Sequence, residues 1–159
     1  MIVQQRFRFA GFTLIELLFV IAIIAILAAL TAALSPGLLK GHRMRSAGME
    51  LMASLVMARS EAVRLRADVT VTPVAASDWA QGWAVTVGGT TTLRSQPILE
   101  GIKVTGGPAN IVFQGTGRLA PGAANVAFQV DLLEAESAYQ RCIRMDLSGA
   151  PRSSSGACS

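Results

Sequence analysis

Gly11-Phe12-Thr13-Leu14-Ile15-Glu16-Leu17-Leu18 opens the most apolar part of the chain, and one residue in it is out of place. Residues 17–39 contain no charge, and a helix of that length, rising about 1.5 Å per residue, reaches across a bilayer core of roughly 30 Å. Glu16 stands at the head of this run. A carboxylate at mid-bilayer costs about 2.5–3.5 kcal/mol on insertion scales, so such a residue normally has a partner. One reading leaves Glu16 at the lipid headgroups. The other pairs it with an amine, which a chain cut after Gly11 would supply at Phe12; Glu16 would then be the fifth residue of the mature protein.

Outward from this stretch, residues 1–10 carry Arg6 and Arg8 and no acid, which holds that end in the cytoplasm and sends the bulk of the chain across the membrane. A secretory signal peptide would have a shorter apolar core, with its special residues after it rather than before. Composition agrees with an anchor plus one modest domain: 159 residues, 52% hydrophobic and only 15% charged. The net charge of +4 owes two units to Arg6 and Arg8; without them 12 basic residues face 10 acidic ones, a balance that gives no argument for nucleic acid by itself.

Beyond the apolar run, Ser35-Pro36-Gly37 and Gly41 predict a kink or a locally melted segment. Helical patterning resumes near Ser46: Leu51, Leu55, Ala58, Ala62 and Leu65 share one face, with Glu61 and Arg64 paired at i, i+3 elsewhere. His42, Arg43 and Arg45 form a solvated collar facing phospholipid. From Asp68 the period changes to two, with strands expected over 69–72, 83–87, 91–94, 102–105, 111–113, 126–130 and 141–147, separated by Gly- and Pro-rich turns. One long helix followed by many short strands predicts an α+β fold with antiparallel sheets. Two cysteines, Cys142 and Cys158, lie beyond the anchor. An even count there suggests an extracytoplasmic disulfide, the alternative being two separate buried thiols. Closing a loop of about 15 residues would add roughly 3 kcal/mol in the chain-entropy model.

The N-terminal stretch, followed by Val20-Ile21-Ala22-Ile23-Ile24-Ala25-Ile26-Leu27-Ala28, resembles the signature of type IV pilins and type II pseudopilins. Ala58-Arg59-Ser60-Glu61-Ala62, Gln81-Gly82-Trp83 and Phe113 with Gly115 and Gly117 narrow the resemblance to the GspH/FimT branch of minor pilins, over nearly the whole chain. Pro73–Trp79 and Asp131–Ala138 look like variable loops. The resemblance implies a type IV pilin-like fold, a long N-terminal helix, half transmembrane and half amphipathic, packed on a small antiparallel β domain. It divides the chain into a leader (1–11), a transmembrane and assembly helix (12–34), a kinked stalk with its amphipathic helix (35–67) and a periplasmic β-rich domain (68–159). It also implies cleavage after Gly11 by prepilin peptidase, N-methylation of Phe12, and Glu16 as the carboxylate that meets a neighbouring subunit's N-terminus. The implied partners are other pilins or pseudopilins in a helical fibre, the peptidase and the inner membrane. The type IV pilus and the type II secretion system are both open on this evidence.

Nothing points to catalysis. The single histidine, His42, lies in the stalk, so no His-based triad can form in the domain. No cysteine–histidine set has zinc spacing, Gly115-Thr116-Gly117 reads as a turn rather than a nucleotide loop, and Asp131, Glu134 and Glu136 read as a solvated acidic loop. No enzyme, cofactor or metal site is expected. DNA is a second functional expectation. Some FimT-type pilins bind it through Gly-Arg-x-Arg, and Gly149-Ala150-Pro151-Arg152 matches at Gly149 and Arg152 only. Arg141 and Arg144 could add phosphate contacts, but a separation of three on a strand sends them to opposite faces; the alternative is ordinary solvated arginines. A plain membrane-anchored periplasmic protein is the third reading, and it leaves Gly11, Phe12 and Glu16 together unexplained. Mass spectrometry of the mature chain separates it: methylated Phe12 at the N-terminus is expected, and an uncleaved Met1 would favour the plain anchor.

Overall fold

The computed structural model describes residues 13–32, 36–123, 125–134 and 140–159. The chain divides into two units, Met1–Leu38 and Leu39–Ser159. In the first, helix α1 runs Leu14–Ala32. Its described side chains, through Ala29, are all exposed. Among the described residues no helix is long and apolar enough to cross a membrane. At about 1.5 Å per residue, the 19 residues of α1 reach about 28 Å. Of the span expected over 12–34, Phe12 and residues 33–34 lie outside the described residues.

Helix α2 runs Pro36–Leu65 and belongs almost wholly to the second unit. Pro36 occupies its first position, where a missing N–H costs nothing and the fixed φ suits a helix. Gly37 and Gly41 lie within the helix, which starts ten residues before Ser46; Ser35, at the head of the expected kink, lies outside the described residues. The predicted stripe is otherwise present: Leu51, Leu55, Ala58 and Ala62 are buried, joined by Met44 and Ala47, while Leu65, at the end of the helix, is exposed. Arg64 and Glu61 pair at 2.6 Å.

Among the described residues eight strands follow: β1 Val69–Ala75, β2 Asp78–Val87, β3 Thr91–Gln96, β4 Ile102–Gly106, β5 Ile111–Phe113, β6 Val126–Leu132, β7 Gln140–Met145 and β8 Pro151–Ser155. They form two antiparallel four-stranded sheets, ordered β3-β2-β1-β5 and β4-β6-β7-β8. Alternation selects the buried faces, as in β6, where Val126, Phe128, Val130 and Leu132 point in. The core joins the α2 stripe to both sheets around Trp79, Trp83, Phe113 and Phe128. Trp79 meets Phe128 edge to face at 4.9 Å and donates its Nε1–H to Pro108 O at 3.0 Å.

Of the two expected loops, 73–79 is largely strand and 131–138 begins as one, its residues 135–138 lying outside the described residues. Within 73–79, β1 and β2 close a hairpin whose last pair is Ala75 with Asp78, and Trp79 is fully buried. Pro73 is tolerated because β5 pairs only with Val69–Val71, which leaves that side of β1 open from residue 72 onward. Likewise β6 continues through Asp131 and Leu132.

The two sheets share no strand, and two turns bring their ends together. Gly117 closes a turn on Gln114 O at 2.7 Å, and Gly149, with φ +74°, presses its α-carbon against the Gly117 carbonyl. Arg59 of α2 donates its Nε–H to the same carbonyl at 3.0 Å. A Cβ at Gly149 would overlap the Gly117 oxygen. Gly149→Ala should therefore cost more than the roughly 1–3 kcal/mol of left-handed backbone strain, with overpacking adding about 1–3 kcal/mol. Gly122→Ala, at φ +98° with open space around it, should cost the strain alone. Urea unfolding of the two variants checks the difference.

Candidate functional site

Two regions carry the expected functional residues. At the N-terminus, Gly11 and Phe12 lie outside the described residues. Thr13 precedes α1 and caps it: the Glu16 N–H donates to Thr13 Oγ1 at 3.3 Å, and the Glu16 and Leu17 amides lie 3.1 and 3.2 Å from Thr13 O. Thr13-Leu14-Ile15-Glu16 has the spacing of a capping box, a signal carried by the distance between Thr13 and Glu16 rather than by the charge of Glu16. The Glu16 carboxylate is exposed in the first helical turn, where the helix dipole favours a negative charge.

The second region is the outer face of the β4-β6-β7-β8 sheet. On β7, residues 141, 143 and 145 face inward and 140, 142 and 144 face outward. Arg144 on β7 lies directly opposite Arg152 on β8, so the two guanidinium side chains share the outer face. Cys142 and Cys158 form a disulfide. Cys142 sits on that face too, and the bond folds the tail back across it, with the Cys158 N–H donating to Gln129 Oε1 at 2.6 Å. Between tail and sheet lies a groove of about 510 Å³. Arg144 and Arg152 line it together with Asp146, Val126, Met145 and Cys158.

Two of the expected DNA-contact residues do other work. Arg141 faces inward, as its spacing from Arg144 required. Its aliphatic stem lies against Gly48 of α2, where a Cβ would stand 2.7 Å from Arg141 Cδ, and its Nη1 donates to Ser153 Oγ at 3.0 Å. Gly149 is a buried packing residue rather than part of a contact surface. Arg144 and Arg152 remain as the exposed pair. Asp131, one of the three acidic-loop residues, accepts from Gln129 Nε2 at 2.9 Å. Glu136 is outside the described residues, and among those described no acidic, histidine or cysteine cluster could hold a metal ion.

Strand β8 was missed entirely. Pro151-Arg152-Ser153-Ser154-Ser155 has no hydrophobic alternation. Backbone pairing to β7 and the Gly156 N–H donating to Gln140 O at 2.9 Å order it instead.

A long helix on two antiparallel sheets, with a capped apolar helix ahead of it, is the build of a pilin-like fibre subunit, and the comparisons agree. The chain belongs to the GspH family: the family described as type II transport protein GspH matches residues 47–149, and the prokaryotic N-terminal methylation motif matches residues 6–32. It is thus a GspH/FimT-like minor pilin or pseudopilin. Two crystal structures of the type IV minor pilin FimU of Pseudomonas aeruginosa PAO1 share the fold. One gives a TM-score of 0.63 at 22% identity over 70% of this chain and 87% of FimU. The second gives 0.61 at 22% over 69% and 91%. No curated protein sequence matches. Arg152 and Cys158 fall beyond the family-matched residues, so the groove is only partly built from the family's shared part.

Asp146 tunes this groove. The Ser148 hydroxyl and backbone N–H hold its carboxylate below the usual range, with a further contribution from Arg152; the Ser148 N–H lies 2.9 Å from Oδ1. A depressed folded pKa stabilises the fold above the unfolded value, near 3.9, and that stabilisation disappears as pH falls through the folded value. Asp146→Asn should therefore be less stable than the unsubstituted protein at neutral pH, with the gap closing below about pH 4 as the unsubstituted carboxyl protonates. Unfolding midpoints measured across pH 2–7 check it.

Proposed function

We infer that the chain is made as a precursor, cut after Gly11 by prepilin peptidase and N-methylated on Phe12. It is then held in the inner membrane by its apolar N-terminal helix, with residues 68–159 in the periplasm, and drawn from there into a pilus or pseudopilus. The observation that carries this is the methylation-motif match over residues 6–32 directly ahead of a GspH-family unit. In this reading Glu16 neutralises the new amine of a neighbouring subunit. Its place in the exposed first turn of a capped helix supports the role. The disulfide suits an oxidising compartment. The chain is a structural subunit and performs no catalysis.

A second reading adds DNA as a ligand of the same subunit. The pairing of Arg144 with Arg152 on one exposed face favours it, because two neighbouring guanidinium groups can bridge phosphates. Asp146 in the same groove works against it by offsetting one charge.

Clean deletion in the native host separates the machines. Lost piliation or lost DNA uptake with normal exoprotein secretion assigns the chain to a type IV pilus, and lost secretion with intact pili assigns it to a type II pseudopilus. For DNA, duplex binding that falls with salt and is lost in Arg152→Ala is expected; no binding at low salt overturns that reading.

A further inference from the structure

Outward positions at a sheet end are expected to be polar, and one end of the second unit breaks that expectation. On β6 the alternation buries Leu132 and turns the next residue out, and that residue is Leu133, 65% exposed. Its N–H donates to Gly101 O at 2.9 Å, which sets it beside the loop before β4, where Ile98 is 52% exposed. Leu133 and Ile98 line one groove of about 210 Å³ with Lys103, Asp78 and Glu100. Leu133 also lines a cavity of about 80 Å³ with Glu134 and with Lys40 and Arg43 of α2. Two large apolar side chains therefore stand exposed within a ring of three exposed cations and three exposed acids.

We propose that this end of the unit rests on the membrane that holds α1, with Leu133 and Ile98 entering below the headgroups and the charged ring lying among them. The inference rests on the reading of α1 as an inner-membrane anchor, and it gives the β-rich domain a lipid contact of its own before assembly. Two observations select a lipid surface as the occupant. The first is reach. Lys40 stands eight residues after Ala32, and eight residues span at most about 28 Å, so while α1 is in a bilayer the rim that Lys40 helps to build stays near it. The second is composition. The core of a protein interface is depleted in charge, whereas here charge surrounds the apolar side chains. A bilayer surface accepts that pattern, because apolar tips enter the acyl boundary while lysine and arginine stems bend back and keep their ends among the phosphates. With as many acids as cations in the ring, the chemistry fits headgroups that carry both a phosphate and an ammonium rather than a purely anionic surface.

The test uses the full-length chain in vesicles of zwitterionic phospholipid brominated on the acyl chains close to the headgroups, where bromine quenches a nearby tryptophan. Trp79 and Trp83 are fully buried and give a constant background. Leu133→Trp should be quenched about twofold or more beyond that background, and Leu147→Trp should not be. Leu147 is the distant control: its carbonyl receives the Leu119 N–H next to the turn that Arg59 holds, and Arg59 is about 24 Å along α2 from Arg43. Ile24→Trp in α1 reports the anchor. Quenching at Ile24→Trp without quenching at Leu133→Trp overturns the lipid contact alone. Equal quenching at Leu133→Trp and Leu147→Trp overturns its assignment to this end of the unit. No quenching at Ile24→Trp overturns the anchor reading, and the contact with it. The Cys142–Cys158 bond, read on a non-reducing gel, reports that each variant has folded.

Discussion

The fold depends on how closely three backbones approach at one corner. The turn at 114–118 ends one sheet, the turn at 146–150 belongs to the other, and the last turns of α2 lie against the first. Gly117 and Gly149 let the two turns touch, and the Arg59 guanidinium ties the helix to the same carbonyl that receives them. The two sheets have no strand in common, so their registration has to come from side-chain packing and from contacts of this kind. It also explains why Gly149 could never have served as a flexible recognition residue: it is fixed against the neighbouring turn by the absence of its own side chain.

Most of the architecture was legible because it rests on period. The α2 stripe follows from spacings of 4 and 3, and seven of the eight strands contain at least one alternating or apolar run. The misreadings have a common cause, which is structure held by something other than side-chain hydrophobicity. Strand β8 is a serine run ordered by backbone pairing and a disulfide. The hairpin at 73–79 contains a proline that only an unpaired strand edge can accept, and knowing that the edge is unpaired requires knowing where β5 stops. Pro36 reads equally as a breaker and as a first helical residue until the helix behind it is seen. At the site, period two correctly separated Arg141 from Arg144. No spacing rule could show that Arg152 sits opposite Arg144, since that register belongs to a strand the sequence did not announce.

The exposure of α1 sets the physical problem that the chain's function has to solve. Eleven large apolar side chains between Leu14 and Leu27 are uncovered. Each is worth about 1.5–3 kcal/mol when buried, so α1 in water would be unfavourable by tens of kcal/mol. Lipid and other subunits are the two covers with enough apolar surface, and an anchor that later becomes a fibre core uses both in turn. Glu16 fits this exchange. It is tolerable at a headgroup boundary, and costly in an apolar fibre unless an amine meets it. In the proposed reading, a subunit in the wrong register would leave that carboxylate unpaired, so the residue that burdens the membrane state would select the register of the assembled one.

The layers of the second unit separate its two outward surfaces. The α2 stripe faces the core, and Met49, Val56 and Val63 face away from it. On the far side of the core, the inner face of β7 turns Arg141 toward Gly48 of α2, and the outer face carries Arg144, Arg152 and the disulfide-held tail. The exposed line of α2 and the groove therefore fall on opposite sides of one sheet-and-helix layer. This separation matters because a fibre subunit has little free surface: a ligand site survives assembly only if the chain directs it away from the surface that assembly consumes. The tail achieves that with five residues of unremarkable sequence, a backbone ladder and one covalent bond.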